Sequence, residues 1–227
     1  MSALIGTYLF GSHARGDVDD RSDLDVLAVV ENHSGRVPLS DVVRTLPVSL
    51  RKKTPTVAWY GRARLDEMFR AGELFTWHIF LEGRRLYGPE ISSIFSRPAI
   101  YTNSVRDITS FVKLMNATGH QLEASEANAV YECGVTYVCV RNIAMALSWL
   151  AMPRPDFSRY SPFHLPESFG TPMAQVDYDI VMTCRMAGQR GYPAPHNINR
   201  EYARDRTDSA TAWASRILDG LMNELAR

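Results

Sequence analysis

Cysteine is scarce in this sequence: Cys133, Cys139 and Cys184 are the only three in 227 residues. So few, at that spacing, exclude a disulfide framework and match no zinc-binding pattern. They fit buried thiols in a reducing cytosol, and a cytoplasmic location is the expectation. Net charge is lacking too, with 25 basic and 25 acidic side chains. That balance excludes a strong whole-protein attraction to nucleic acid or to an anionic membrane and leaves only a local basic groove open. The first residues, MSALIGTYLF, have no basic stretch before their apolar run, so no secretory signal is expected. Long hydrophobic runs reduce to residues 133–152, CGVTYVCVRNIAMALSWLAM. Arg141 near its centre is costly in lipid, so a buried helix is expected and no membrane span.

Two familiar ligand loops are also missing. Gly6 and Gly11 are spaced as in GxxxxGK[ST], but Ser12 stands where the lysine must be. A calcium loop begun at Asp17 would place Arg21, Ser22 and Ala28 at its fifth, sixth and twelfth positions, which that loop does not allow.

What is present begins as mixed α/β. Residues 5–10, 24–30 and 56–60 are short apolar runs ended by turn residues, the pattern of buried strands. A short helix is expected over 40–45. From 62 to 81 the spacing turns helical, with Gly72 as a break, and Trp77 and His78 are expected in the core. EGRRLYGP then reads as a turn, an edge strand and a stop. After Pro98 the texture is helical: 105–115, a long helix over 124–151, and helices near 174–189 and 199–225, the last with an apolar face at Trp213, Ile217, Leu221 and Leu225. Five prolines in 153–172 mark an irregular connection. The expectation is an α+β fold, with a small mixed-sheet domain over 1–95 and a helical domain over 100–227.

The segment FGSHARGDVDDRSDLDV, residues 10–26, carries the chemistry. Asp17, Asp19 and Asp20 read as a solvated spacer. Asp23 and Asp25 do not, because they alternate with Leu24 and Val26 at the start of an apolar strand. Residues two apart on a strand share a face, so both carboxylates project together. Like charges side by side repel unless divalent cations neutralise them, and paired hard oxygen ligands suit Mg²⁺. Gly11 and Ser12 fall where the preceding strand turns into a short helix over 13–16. Glycine there lets a phosphate approach the backbone, with the Ser12 hydroxyl and the Arg15 cation nearby.

GSHARGDVDDRSDLDVLAVV resembles the signature of the polymerase-β-like nucleotidyltransferase superfamily: Gly-Ser, about ten residues, then Asp-x-Asp on the next strand. Ala-Arg-Gly after the Gly-Ser, and Ser22 before Asp23, are most similar to the minimal nucleotidyltransferase branch. That branch includes partners in HEPN-linked toxin–antitoxin pairs and relatives of aminoglycoside nucleotidyltransferases. The resemblance implies triphosphate contacts at Gly11 and Ser12, beside which the Arg15 cation is expected to bind nucleotide, and Mg²⁺ ligands, catalytic in a two-metal site, at Asp23 and Asp25. It also implies transfer of an NMP from an NTP, with ATP expected, to a hydroxyl on a small molecule, a protein or a nucleic acid end. The helical domain would bind the acceptor or form a homodimer.

One departure limits the resemblance. Its active members add a third carboxylate on a later strand, and the strand over 56–60, TVAWY, has none; Thr56 or Ala58 stands in its place. Either a glutamate from the helical domain substitutes, Glu132 or Glu126, or the domain is a catalytically impaired nucleotide-binding regulatory or antitoxin-like module. Arg141 is open to two readings, a pair with an acid such as Asp107 or Asp179, or a clamp on the acceptor. A HEPN-type ribonuclease motif, Arg-x4-6-His, matches only at 159–164 and 190–196, both interrupted by proline, and is not supported.

Overall fold

In the computed structural model, residues 3–225 are described, apart from the side chains of 189, 190 and 225. The chain divides into two compact units, Met1–Thr102 and Asn103–Arg227. The fold is α+β, as expected.

In the first unit, strand β1 (Leu4–Phe10) leads into a one-turn helix α1 (Ser12–Arg15), then β2 (Asp25–Val30), α2 (Leu39–Thr45) and β3 (Thr56–Gly61). Helices α3 (Arg62–Ala71) and α4 (Leu74–Glu82), strand β4 (Arg84–Tyr87) and a turn of helix α5 (Ile91–Ile94) complete it. The sheet order is β3-β2-β1-β4. β1 runs antiparallel to both β2 and β4, whereas β2 and β3 are parallel, joined by the crossover that contains α2.

The central strand β2 shows why its sequence is an unbroken apolar run. Leu24, Val26, Ala28 and Val30 pack on one side of the sheet with Val42 and Leu46 from the α2 segment. Leu27 and Val29 pack on the other with Leu65, Met68, Phe69 and Ile79 from α3 and α4. A strand buried on both faces cannot alternate apolar with polar. Each such Val or Leu contributes about 1.5–3 kcal/mol relative to exposure, so a charged residue at Leu27 would remove the support on which the strand depends. The Asn32 side chain accepts from Ala63 N–H at 2.8 Å and caps α3, which ends at Gly72 where the sequence places the break.

The second unit is helical: α6 (Ser104–Ala124), α7 (Ala129–Ala151), α8 (Ser161–His164), α9 (Gln175–Arg190) and α10 (Arg200–Leu225). The long apolar run becomes α7, which starts later than its sequence suggests because a 3-10 turn, Glu126–Asn128, precedes it. This is the one described helix long and apolar enough to cross a membrane. It packs instead on α6, α9 and α10, with Cys133, Cys139, Val140, Ile143, Ala144 and Leu147 all buried.

The proline-rich connection is held to the bundle by polar contacts. The Arg141 guanidinium donates to the backbone carbonyls of Phe157 (2.9 Å) and Ser158 (3.4 Å). Tyr178 donates to the Arg159 carbonyl at 2.7 Å, and the Trp213 indole donates to that of Phe169 at 3.0 Å. Arg141 therefore ties down the connection rather than pairing with Asp107 or Asp179. The Asp179 carboxylate accepts from Tyr160 at 2.9 Å.

Candidate active site

The candidate site is built at one end of the sheet. Phe10, the last residue of β1, is in register with Asp25, the first of β2, and Asp25 is in register with Thr56, the first of β3. Leu24 is already joined to this ladder, since its carbonyl accepts from Thr56 N–H at 2.9 Å. Leu24 is buried while Asp23 and Asp25 on either side are half-buried, so the two carboxylates turn away from the core together. Beyond Asp25, the same face of β2 is covered by α3 and α4, which leaves the acids at the rim of the sheet.

The spacer has a structural task. Asp19 and Ser22 close a tight turn: Ser22 Oγ donates to the Asp19 carboxylate at 2.7 Å, and Asp19 N–H donates back to Ser22 Oγ at 2.9 Å. Arg21 N–H adds a bond to the same carboxylate at 3.0 Å. The serine before Asp23 thus fixes the direction in which the chain reaches the strand. Asp19 is not merely solvated.

Gly11 brings the other half of the signature against this edge. Its backbone (φ 70°, ψ −152°) lies in a region that only glycine occupies readily. A Cβ there would stand 2.8 Å from Asp25 Oδ2. Gly11 and the Asp25 carboxylate are therefore in direct apposition, with no room for a side chain between them. The Gly11 carbonyl then accepts from Ala14 N–H and Arg15 N–H, each at 3.0 Å, which forms the α1 turn on which Ser12 and His13 sit.

Two residues here have no signal in the sequence pattern. Lys53, just before β3, places its ammonium 3.5 Å from His13 Nε2. Burial, reinforced by this neighbouring cation, holds His13 below its ordinary pKa. Because β2 lies between β1 and β3, this contact joins segments on both sides of the strand that bears the carboxylates. The second is Glu82, the last residue of α4, whose side chain is 7% exposed. Its Oε2 accepts from Arg15 at 2.7 Å and contacts His78 Nε2 at 3.0 Å. Burial alone would raise this carboxyl; the bonds from His78 and Arg15 outweigh it and hold it below its ordinary value. Arg15, expected at the triphosphate, is thus engaged by Glu82 and, at 3.1 Å, by Asp17. Trp77 is in the core as expected, and His78 is nearly buried but serves Glu82.

The candidates from the helical unit lie inside or along that unit. Glu132 is 6% exposed. Burial raises its carboxyl above the ordinary range despite a hydrogen bond from Thr118. Glu126 is exposed on its 3-10 turn. Of the two arginine–histidine matches, His164 contacts Asp156 Oδ2 through Nδ1 at 2.7 Å, and the Arg190 side chain lies outside the described residues.

Residues 3–84, which span β1 to the first residue of β4, match the nucleotidyltransferase domain family. Over these residues the first unit carries a nucleotidyltransferase domain, in line with the resemblance to the polymerase-β-like superfamily. No curated protein matches the chain. Among solved structures, the chain is similar to spectinomycin adenyltransferase AAD(9) from Enterococcus faecialis, solved with ATP and spectinomycin. The identity is 12%, over 94% of this chain and 92% of that one, with a TM-score of 0.48.

In this nucleotidyltransferase domain the donor set fits a hard divalent cation. Two carboxylates flank a buried leucine, and position 11 is a cradle that any Cβ would fill. Among the described residues no group of three or more metal-ligating side chains converges, and the register neighbour of Asp25 is Thr56. A cation held by such a pair takes its remaining oxygens from water and substrate phosphates, the usual habit of Mg²⁺.

Proposed function

We propose that this chain transfers a nucleoside monophosphate from an NTP to a hydroxyl acceptor and releases pyrophosphate, with Mg²⁺ held by Asp23 and Asp25. The observation that carries the reading is the apposition of Gly11 to Asp25, which puts a side-chain-free backbone directly beside the carboxylate pair. Bound Mg²⁺ supplies charge stabilisation on the attacking and departing oxygens of an in-line displacement. The chain's own residues do the rest. Gly11 lets the triphosphate approach the backbone, and Ser12 offers a hydroxyl donor. Lys53, which sits beside His13, adds positive charge at the same sheet end, where polyphosphate charge has to be balanced. ATP is the expected donor nucleotide. The acceptor is a small molecule, a protein hydroxyl or a nucleic acid end. The three cysteines are free and buried, which supports a reducing, cytoplasmic setting.

A second reading has its own support. Thr56, which is not an acid, occupies the register position beside Asp25. A domain that binds nucleotide but transfers slowly or not at all, acting as a regulatory or antitoxin-like module, would look the same at Asp23 and Asp25.

One experiment separates the two. The protein is incubated with each α-³²P-labelled NTP, Mg²⁺ and acceptors of the three classes. Label transfer that disappears in Asp23→Asn and Asp25→Asn supports the enzyme. Mg·NTP binding with no transfer to any acceptor, or to the protein itself, supports the binding module. Transfer that survives both substitutions together refutes the site.

A further inference from the structure

The ion pair between Arg15 and Glu82 links a buried acid on α4 to the turn that carries Gly11 and Ser12. Three contacts run in series. Glu82 Oε2 accepts from the Arg15 guanidinium at 2.7 Å; Arg15 N–H donates to the Gly11 carbonyl at 3.0 Å; and the Gly11 backbone lies against Asp25 Oδ2. The Glu82 side chain is 7% exposed and that of Arg15 21%, so the pair is screened far less than a surface pair. Removing one partner of such a pair leaves a charge buried without its counterion, which a protein tolerates poorly. His78, 3.0 Å from the same Oε2, packs edge-on against Phe10, with ring centroids 5.4 Å apart. Phe10 is the residue before Gly11 and the register partner of Asp25. Both groups that Glu82 holds therefore act on the same turn, one from each side of Gly11.

We propose that Glu82 is a positioning residue, which holds the Gly11–Ser12 turn against Asp25 through Arg15 and His78. It follows that Arg15 acts through this network and is not a triphosphate ligand. The inference rests on the nucleotidyltransferase reading for its kinetic consequence but not for its structural one.

Glu82→Gln, Arg15→Gln and the double variant are made in the full chain, with Arg15→Lys as the variant that keeps a cation. Two measurements are taken. Hydrogen–deuterium exchange without nucleotide follows residues 11–16, and steady-state kinetics with Mg·NTP follow kcat and KM. Glu82→Gln is expected to speed exchange in 11–16 while β2 and β3 stay protected, and to lower kcat by roughly 10- to 100-fold, the scale of a misplaced catalytic group. Because the residues act in series, the double variant loses no more than the worse single one. Arg15→Lys, which keeps the charge on Glu82, recovers part of the loss. If Glu82→Gln lowers the melting temperature but leaves exchange in 11–16 and kcat at wild-type values, the pair is merely structural and the proposal is wrong. If Arg15→Gln raises the KM for Mg·NTP well beyond Glu82→Gln and the two losses add, Arg15 touches the triphosphate and the proposal is again wrong. A wild-type protein that neither binds Mg·NTP nor transfers label would defeat the functional reading, and the exchange result would still decide whether Glu82 positions the turn.

Discussion

Replacing Gly11 with alanine tests the apposition on which the functional reading depends. Two effects can be worked out. The φ of 70° and ψ of −152° place residue 11 in a region where a residue with a Cβ is strained by about 1–3 kcal/mol. Separately, the new Cβ would stand 2.8 Å from Asp25 Oδ2, closer than real Cβ atoms come to such neighbours. The carboxylate has to withdraw by about 0.5 Å, which already uses up the tolerance of a catalytic constellation. Gly35→Ala is the matched control. Gly35 also has a positive φ, 66°, but a Cβ there meets nothing within 4 Å, so it incurs strain of about 1–2 kcal/mol without a contact. Both variants should lose comparable stability in urea unfolding. Only Gly11→Ala should also lose nucleotide transfer, by roughly 10- to 100-fold. Equal activity in the two variants would refute the claim that Gly11 shapes the space beside Asp25.

Other expectations follow from single contacts. Arg141→Ala should lower stability by about 1–2 kcal/mol through loss of its carbonyl bonds and expose residues 153–160 to proteolysis. A change in acceptor KM with stability intact would instead support the clamp reading. Glu132 is held above its ordinary pKa by burial, so its ionised form opposes folding at neutral pH, and that penalty fades as pH falls toward the unfolded value. Glu132→Gln should therefore be more stable than wild type in urea at pH 7, with the gap narrowing at pH 5; a gap that widens there would overturn this. His13 is held below the ordinary 6.5, so the unfolded chain takes its proton first. Its contribution favours folding above about pH 6.5 and is lost as pH falls below that value. Lys53→Gln should shift the His13 ring titration upward by NMR, and an unmoved titration would show that burial alone sets it.

The fold was readable wherever one local rule governed. The uninterrupted apolar stretch at Val26–Val30 marks a strand covered on both faces, and Gly72 stops α3 where its chemistry says it should. Asp23 and Asp25 were separable from the other aspartates because a strand's alternation is a strictly local signal. Glu82 was not, because it lies 67 positions from Arg15 and nothing in the spacing of a helix end points to so distant a partner. The partner of Arg15 was not legible for the same reason: a cation beside a phosphate loop suggests a phosphate, and only the fold shows the buried acid paired with it. The Ser22–Asp19 turn was overlooked because exposed aspartates read as solvation, although both residues favour such turns.

The parallel pairing of β2 with β3 makes the gap in the acid set unusually easy to close. In an antiparallel pair the two strands would begin at opposite ends of the sheet, but here Asp25 and Thr56 begin side by side. Thr56 is exposed, so an acid at that position would need no repacking. On the binding-module reading, Thr56→Asp would place a third acid beside Asp25 without touching the core.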